Sequence, residues 1–112
     1  MAWLVREDRV LATLEVAESS RARLRGLLGR DGFDGALLLR PARSVHTVGM
    51  RFAIDVAYCD AEMRVLKVCT MPRHRLGLPV LAARSVIEAE AGAFETWDLK
   101  VGDELTVRGE DS

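Results

Sequence analysis

His46, Met50, Arg51 and Asp55 fall inside one stretch, Ser-Val-His-Thr-Val-Gly-Met-Arg-Phe-Ala-Ile-Asp-Val-Ala-Tyr, which runs from Ser44 to Tyr58. An imidazole beside a carboxylate can act as an oriented base, because the carboxylate holds the ring and raises its basicity. His46 and Asp55 are the catalytic candidates on that ground, provided Gly49 folds the first half of the stretch back on the second. The nearby hydroxyls and thiols are Ser44, Thr47, Tyr58 and Cys59, and spacing alone does not say which of them faces His46. The plainer alternative is that His46 and Asp55 satisfy buried backbone groups at a strand junction, since a buried polar group must find partners whether or not it catalyses anything.

Two other chemistries use neighbouring residues. A soft monovalent metal such as copper would take His46 and Met50, with Cys69, Met71 and His74 as further ligands. No Cys-x-x-Cys and no closely paired histidines support that set, and methionine is more often a core filler; the sequence therefore nominates no metal and no cofactor. Arginine holds carboxylate and phosphate bidentately. Arg43, Arg51, Arg73, Arg75 and Arg84 flank the central stretch or sit in the loop that follows it, which makes a small polar or anionic ligand a second reading. The alternative is a scatter of solvated arginines balanced by 17 acidic residues.

The elements that must position these side chains follow from periodicity. Trp3 to Val5 and Val10 to Val16 flank the polar Arg6-Glu7-Asp8-Arg9 segment, as in an opening hairpin. Glu18 to Leu28 changes to a helical period, with Ser19 or Ser20 as the cap, Leu24, Leu27 and Leu28 at i, i+3, i+4, Gly26 inside and Gly29 after. Its arginines, Arg21, Arg23, Arg25 and Arg30, read as a solvated face. The turn-rich Asp31 to Gly35 leads to a short buried strand, Ala36 to Leu39, ended by Pro41. From Arg51 the chain alternates, with Phe52, Ile54, Val56 and Tyr58 on one face and Ala53, Asp55, Ala57 and Cys59 on the other. Asp60 to Met63 turns it into an antiparallel partner, Arg64 to Thr70. Met71 to Ala83 reads as a long surface loop, Arg84 to Glu90 as a strand, and Phe94 with Trp97 as a short helix near 93–98. Gly102-Asp103 resembles the crossing turn of small β-barrels, and Glu104 to Arg108 makes the last strand before a polar tail, Gly109 to Ser112, expected to fray.

Length and composition bound the rest. A chain of 112 residues fits a single domain, 1–112, with one core. A formal net charge of -1 gives no electrostatic reason to expect nucleic acid, and the apolar stretch at the N-terminus is too short to cross a membrane. It is also too short for the core of a signal peptide, so the expected compartment is cytoplasmic, with Cys59 and Cys69 as reduced thiols.

Three pieces in this order resemble a known family: Val16 to Arg30, the Ser44 to Tyr58 stretch, and Ala-Arg-Ser-Val-Ile-Glu-Ala-Glu-Ala-Gly-Ala from Ala83. Together they resemble DUF192, a family catalogued as a domain of unknown function, and the resemblance covers most of the chain. It implies a small, mainly β domain with one helix, found in bacteria and archaea, with no assigned biochemical role. The family pattern falls on Arg25, Gly26, Leu27 and Arg30, on His46, Gly49, Met50, Arg51 and Asp55, and on Glu88 and Gly92. The chain departs from it at Ala42, where many relatives carry Cys, at Val48, where Phe is usual, and at Ala53, where Pro is usual.

The fold expected is α+β, mainly β, with mixed and antiparallel strands curled into a partly closed, barrel-like sheet and helices near 18–28 and 93–98. The function expected is a small ligand-binding or accessory module with a polar site around His46 to Asp55. Its ligand-binding residues would be His46, Met50, Arg51, Asp55, Arg43, Arg84 and Glu88. One alternative is a hydrolase-like or lyase-like enzyme with His46 as base and Asp55 as orienting group. Another is a structural domain that offers a strand edge to a protein partner.

Overall fold

In the computed structural model, which describes residues 2–109, the opening residues pair as their alternation requires. Strand β1 (Ala2–Arg6) runs antiparallel to β2 (Arg9–Ala17), with Ala2 opposite Leu14 and Arg6 opposite Arg9. Glu7 and Asp8 between them both take positive φ, 50° and 66°, which gives a two-residue turn the twist that matches its strands.

Helix α1 (Ser20–Arg25) starts where Ser19 caps it, the hydroxyl accepting the Ala22 N–H at 3.1 Å. It is shorter than the helical period suggested. Gly26 takes φ 50° and ψ -126° and closes the helix by donating its N–H to the Ala22 carbonyl. The glycine also lies tight against the sheet, where a Cβ would stand 3.3 Å from Oε1 of Glu88. The leucines beyond it therefore pack from an irregular turn rather than from a helix face, Leu27 being fully buried.

Five further strands and a second helix follow: β3 (Ala36–Leu39), β4 (Ile54–Cys59), β5 (Val65–Met71), β6 (Ser85–Glu90), α2 (Ala93–Trp97) and β7 (Thr106–Gly109). They form one sheet in the order β5-β4-β6-β3-β2-β1-β7. Only the β2–β3 pair among these is parallel, as expected of two strands joined through a helix. Expected strand ends move by a residue or three. Arg51 to Ala53 stay outside β4, and Glu104 lies outside β7 because it bridges Arg64 at the other end of the sheet. Backbone bonds from Val65 N to Asp103 O, Gly102 N to Val65 O and Leu105 N to Met63 O reinforce that bridge. The two ends of the sheet thus touch over a short seam, and the barrel is partly closed. Asp103 bonds back to its own turn, accepting the Lys100 N–H at 2.9 Å. The expected frayed tail begins at Gly109, the last residue of β7, and its residues 110–112 lie outside the described residues.

Both faces of the sheet are buried. The concave face collects Leu4, Leu14, Leu38, Ala57, Ile87 and Leu105 and is closed by Phe94 of α2. The outer face of β3, β6 and β4 carries Leu37, Leu39, Val86, Ile54, Val56 and Tyr58, and is covered by Leu27, Val45, Met50 and Ala83 from the segments that follow α1, β3 and β5. Strand parity then decides which polar side chain goes where. Asp55 shares the inner face with Ala57, and Glu88 shares the outer face with Val86.

Candidate functional site

The covering segments do not seal the outer face completely. They leave a cleft of about 500 Å³ between α1 and the loops after β3 and β5, lined by Arg23, Arg25, Arg43, His46, Met50 and Glu88 among others. The loop walls are held by backbone bonds: Gly77 N donates to Val45 O at 2.8 Å, Val80 N to Arg43 O at 2.9 Å, and Thr47 N to Arg75 O at 2.8 Å. Thr47 is fully buried and ties the two loops further, its hydroxyl donating to Pro72 O at 2.6 Å and accepting the Arg75 N–H at 2.9 Å. Met50 forms part of the apolar wall at 5% exposure, while His46 stands exposed at the rim.

Glu88 is the unusual residue of the cleft. It sits in the middle of β6, paired with Leu37 on one side and Val56 on the other, and is 4% exposed. Among the described residues its carboxyl makes no ion pair, and burial alone pushes it up to about 7. Burial also raises the Tyr58 phenol on the next strand, with Cys69 and then Glu88 adding to the effect. The arginines of the mouth and the carboxyl of the floor therefore share a cleft without neutralising each other. Such a site presents cations at its entrance and, near neutral pH, a carboxyl that can either donate or accept a hydrogen bond at its base.

The remaining sequence candidates lie elsewhere. Asp55, 4% exposed, faces the inner side of the sheet, where Oδ2 accepts the N–H groups of Gly92 at 3.0 Å and Phe94 at 3.1 Å, and Oδ1 accepts the Thr70 hydroxyl at 2.7 Å. It caps the first turn of α2, which has no cap of its own because Gly92 stands at that position. Gly49 does turn the chain, at φ 82°, yet His46 and Asp55 end on opposite sides of the sheet and form no pair. Arg51 is exposed and reaches Asp31 at 2.7 Å, and Arg84 bonds to the Ala83 carbonyl. His74, in the loop after β5, accepts the Gly49 N–H on Nδ1. Cys59 faces the inner core, where burial pushes its thiol up to about 12, and Cys69 on β5 lies against the outer core. Among the described residues no group of three His, Cys, Asp or Glu side chains converges as a metal site would need.

His46, Met50, Arg43 and Glu88 thus come together, whereas Arg51, Asp55 and Arg84 do not join them. Arg23, with Ser20 and Leu24 of the same helix, completes the wall. Arg23 reads from sequence only as part of a solvated face, since nothing local says that α1 and Glu88 of β6 share a cleft. Most of the family pattern falls in two groups, Arg25, Gly26, Leu27, His46, Met50 and Glu88 around the cleft and Asp55 with Gly92 at the start of α2, while Arg30, Gly49 and Arg51 join neither.

The chain thus folds as a small, mainly β domain, a curled mixed sheet with two short helices and one buried carboxyl facing a cleft. The chain belongs to the DUF192 family, described as an uncharacterized ACR, whose profile matches residues 3–107. A UPF0127 protein of Thermococcus gammatolerans is 33% identical over 96 residues, which are 80% of this chain and 63% of that protein. The chain therefore spans less than two thirds of that relative's length. Two solved structures share the fold at low identity. A putative transcription regulator of Sinorhizobium meliloti 1021 has a TM-score of 0.80 at 17% identity, over 95% of this chain and 91% of that one. A protein of unknown function from Novosphingobium aromaticivorans has a TM-score of 0.79 at 16% identity, over 94% and 82%. No helix among the described residues is long and apolar enough to cross a membrane.

Proposed function

We propose that this chain is a small-ligand-binding module whose site is the cleft over Glu88, with His46, Met50 and Arg43 as further contacts. The observation that carries the reading is the carboxyl itself. Among the described residues the Glu88 carboxyl has no ion-pair partner, and burial that holds it near neutral pH costs the fold stability once it ionises, so a protein that keeps one at the base of an open cleft has a use for it there. An enzyme is the second reading, favoured by a carboxyl brought close to neutral pH, where it can take and return a proton. Glu88 rather than Asp55 would then be the acid or base, because Asp55 is committed to α2. Cys59 and Cys69 lie on opposite faces of the sheet, out of reach of each other, so they form no disulfide with one another.

The test is a fragment screen by ligand-observed NMR, repeated on Glu88→Gln and followed by amide shift mapping. Fragments should move the amides of Gly26, His46 and Met50, and Glu88→Gln should lose or exchange most of them. Fragments that bind both proteins alike, or map away from the cleft, would sink the reading.

A further inference from the structure

Charge is not spread evenly over this molecule. Ten of the 16 basic residues fall in three segments, 19–30, 40–53 and 71–84, and none of the 17 acidic residues does. These are the segments that wall the cleft. Three of their arginines are neutralised from outside, Arg30 by Glu15, Arg40 by Glu18 and Arg51 by Asp31. Among the described residues the three that line the cleft, Arg23, Arg25 and Arg43, have no carboxylate partner, and neither do the exposed Arg21, Arg73 and Arg75. Unpaired cations around a concave site with low-dielectric walls focus a positive potential into it.

The same rim is greasy. Leu24 is 76% exposed and Leu76 80% exposed, and both line the cleft mouth; Leu78 and Leu81, further along the same loop, are 81% and 80% exposed. Met50, Leu27 and Leu39 continue that apolar surface inward to Glu88. Leucines this exposed beside unpaired arginines suit a ligand that has both an apolar body and negative charge.

Resting on the reading of the cleft as a binding site, we propose that its ligand is an organic anion with an apolar body. The anionic group sits among Arg23, Arg25 and Arg43, the apolar body lies against Leu24, Leu76 and Met50, and a polar end reaches Glu88. The anion can be a free organic acid or the head group of an anionic lipid, since both present the same chemistry to the arginines.

A matched pair of fluorescent probes separates charge from greasiness: 1-anilinonaphthalene-8-sulfonate and N-phenyl-1-naphthylamine, which is the same skeleton without the sulfonate. The sulfonate should bind saturably and at least about tenfold tighter than the neutral probe in low salt, and its advantage should shrink as salt is added. Arg25 is exposed and makes no side-chain hydrogen bond or ion pair among the described residues, so Arg25→Glu should fold, which its urea unfolding checks. It should weaken the sulfonate by about fivefold or more and leave the neutral probe unchanged. Ser44→Trp, which fills the mouth from an exposed position, should abolish both. Equal binding of the two probes, or a sulfonate indifferent to Arg25→Glu, overturns the anion proposal while leaving the cleft reading standing. Two probes indifferent to Ser44→Trp and Glu88→Gln overturn both. Octanoate that competes with the sulfonate identifies a free acid, and co-sedimentation with phosphatidylglycerol vesicles but not phosphatidylcholine vesicles identifies a head group; either result supports the proposal, and failure of both overturns it. Duplex DNA that displaced the sulfonate while octanoate and vesicles did not would also overturn it, in favour of a phosphate backbone.

Discussion

Glu88→Gln should make the protein more resistant to rising pH, by an amount that follows from where the carboxyl sits. Burial moves the Glu88 carboxyl from an ordinary 4.5 to about 7. The folded state therefore holds this proton more tightly than the unfolded chain does. The stability it contributes is fully present below the unfolded value of 4.5, falls as pH rises, and is gone once pH has passed through the folded value near 7. At about 1.4 kcal/mol for each tenfold change in proton affinity, the penalty for ionising it in place is about 3 kcal/mol. Glutamine keeps the size and cannot ionise, so the difference between the two proteins isolates this one group. Urea unfolding of both at intervals from pH 4.5 to 8.5 gives the curve. The parent should lose about 3 kcal/mol relative to the variant over that range, mostly between pH 5 and 7. The absolute offset at low pH reflects how the amide packs and is not at issue. A difference curve that is flat within about 0.5 kcal/mol would show that Glu88 is already solvated or paired, and the account of the cleft floor would fail with it.

Three further outcomes follow from the packing. Asp55→Ala removes the acceptor of two backbone N–H groups at α2 and of the Thr70 hydroxyl, and should destabilise by about 3 kcal/mol in urea, with Asp55→Asn recovering much of the loss; an alanine variant as stable as the parent would refute the capping role. Gly35→Ala should lower stability by about 2 kcal/mol or more, because a Cβ there would stand 2.5 Å from Oγ1 and 2.9 Å from the backbone oxygen of Thr13 at a φ of 109°; thermal unfolding at the parent's midpoint would contradict this. Arg6 donates to Asp98 O, Trp97 O and the Asp103 carboxylate, each at 2.9 Å, with the two charged side chains 14% and 24% exposed. Arg6→Ala should cost about 1–2 kcal/mol and Arg6→Lys should not restore it, since one ammonium cannot reach three divergent acceptors; full rescue by lysine would mean that only charge matters at this latch.

Much of the fold was legible in the order of residue types. The hairpin, β3 and the alternation through β4 all follow from local rules, because a strand's period of two is written directly in its neighbours. Even the allocation of Asp55 and Val56 to opposite faces is readable from their adjacent positions in an alternating run. The end of α1 was not, because Gly26 inside a helical period looks like a tolerated interruption until Glu88 is found directly beneath it. For the same reason His46 and Asp55, nine positions apart, were the natural pair to propose. The sheet put His46 at a cleft rim and Asp55 under α2.

The strand pattern, the family and the list of chemically able side chains are written in residue order, since each of these depends on near neighbours. Which of those side chains meet depends on how the sheet and its covering segments fold together. Glu88 and Arg25 are far apart along the chain, and their shared cleft exists because the β2-α1-β3 crossover brings the C-terminal end of α1 beside the Glu88 carboxyl on β6. The acid-free basic segments were visible as composition, but they acquire meaning only when three separate stretches close around one buried carboxyl. Contacts of that range are set by strand order, and strand order is fixed by the packing of whole faces rather than by any local run of residues.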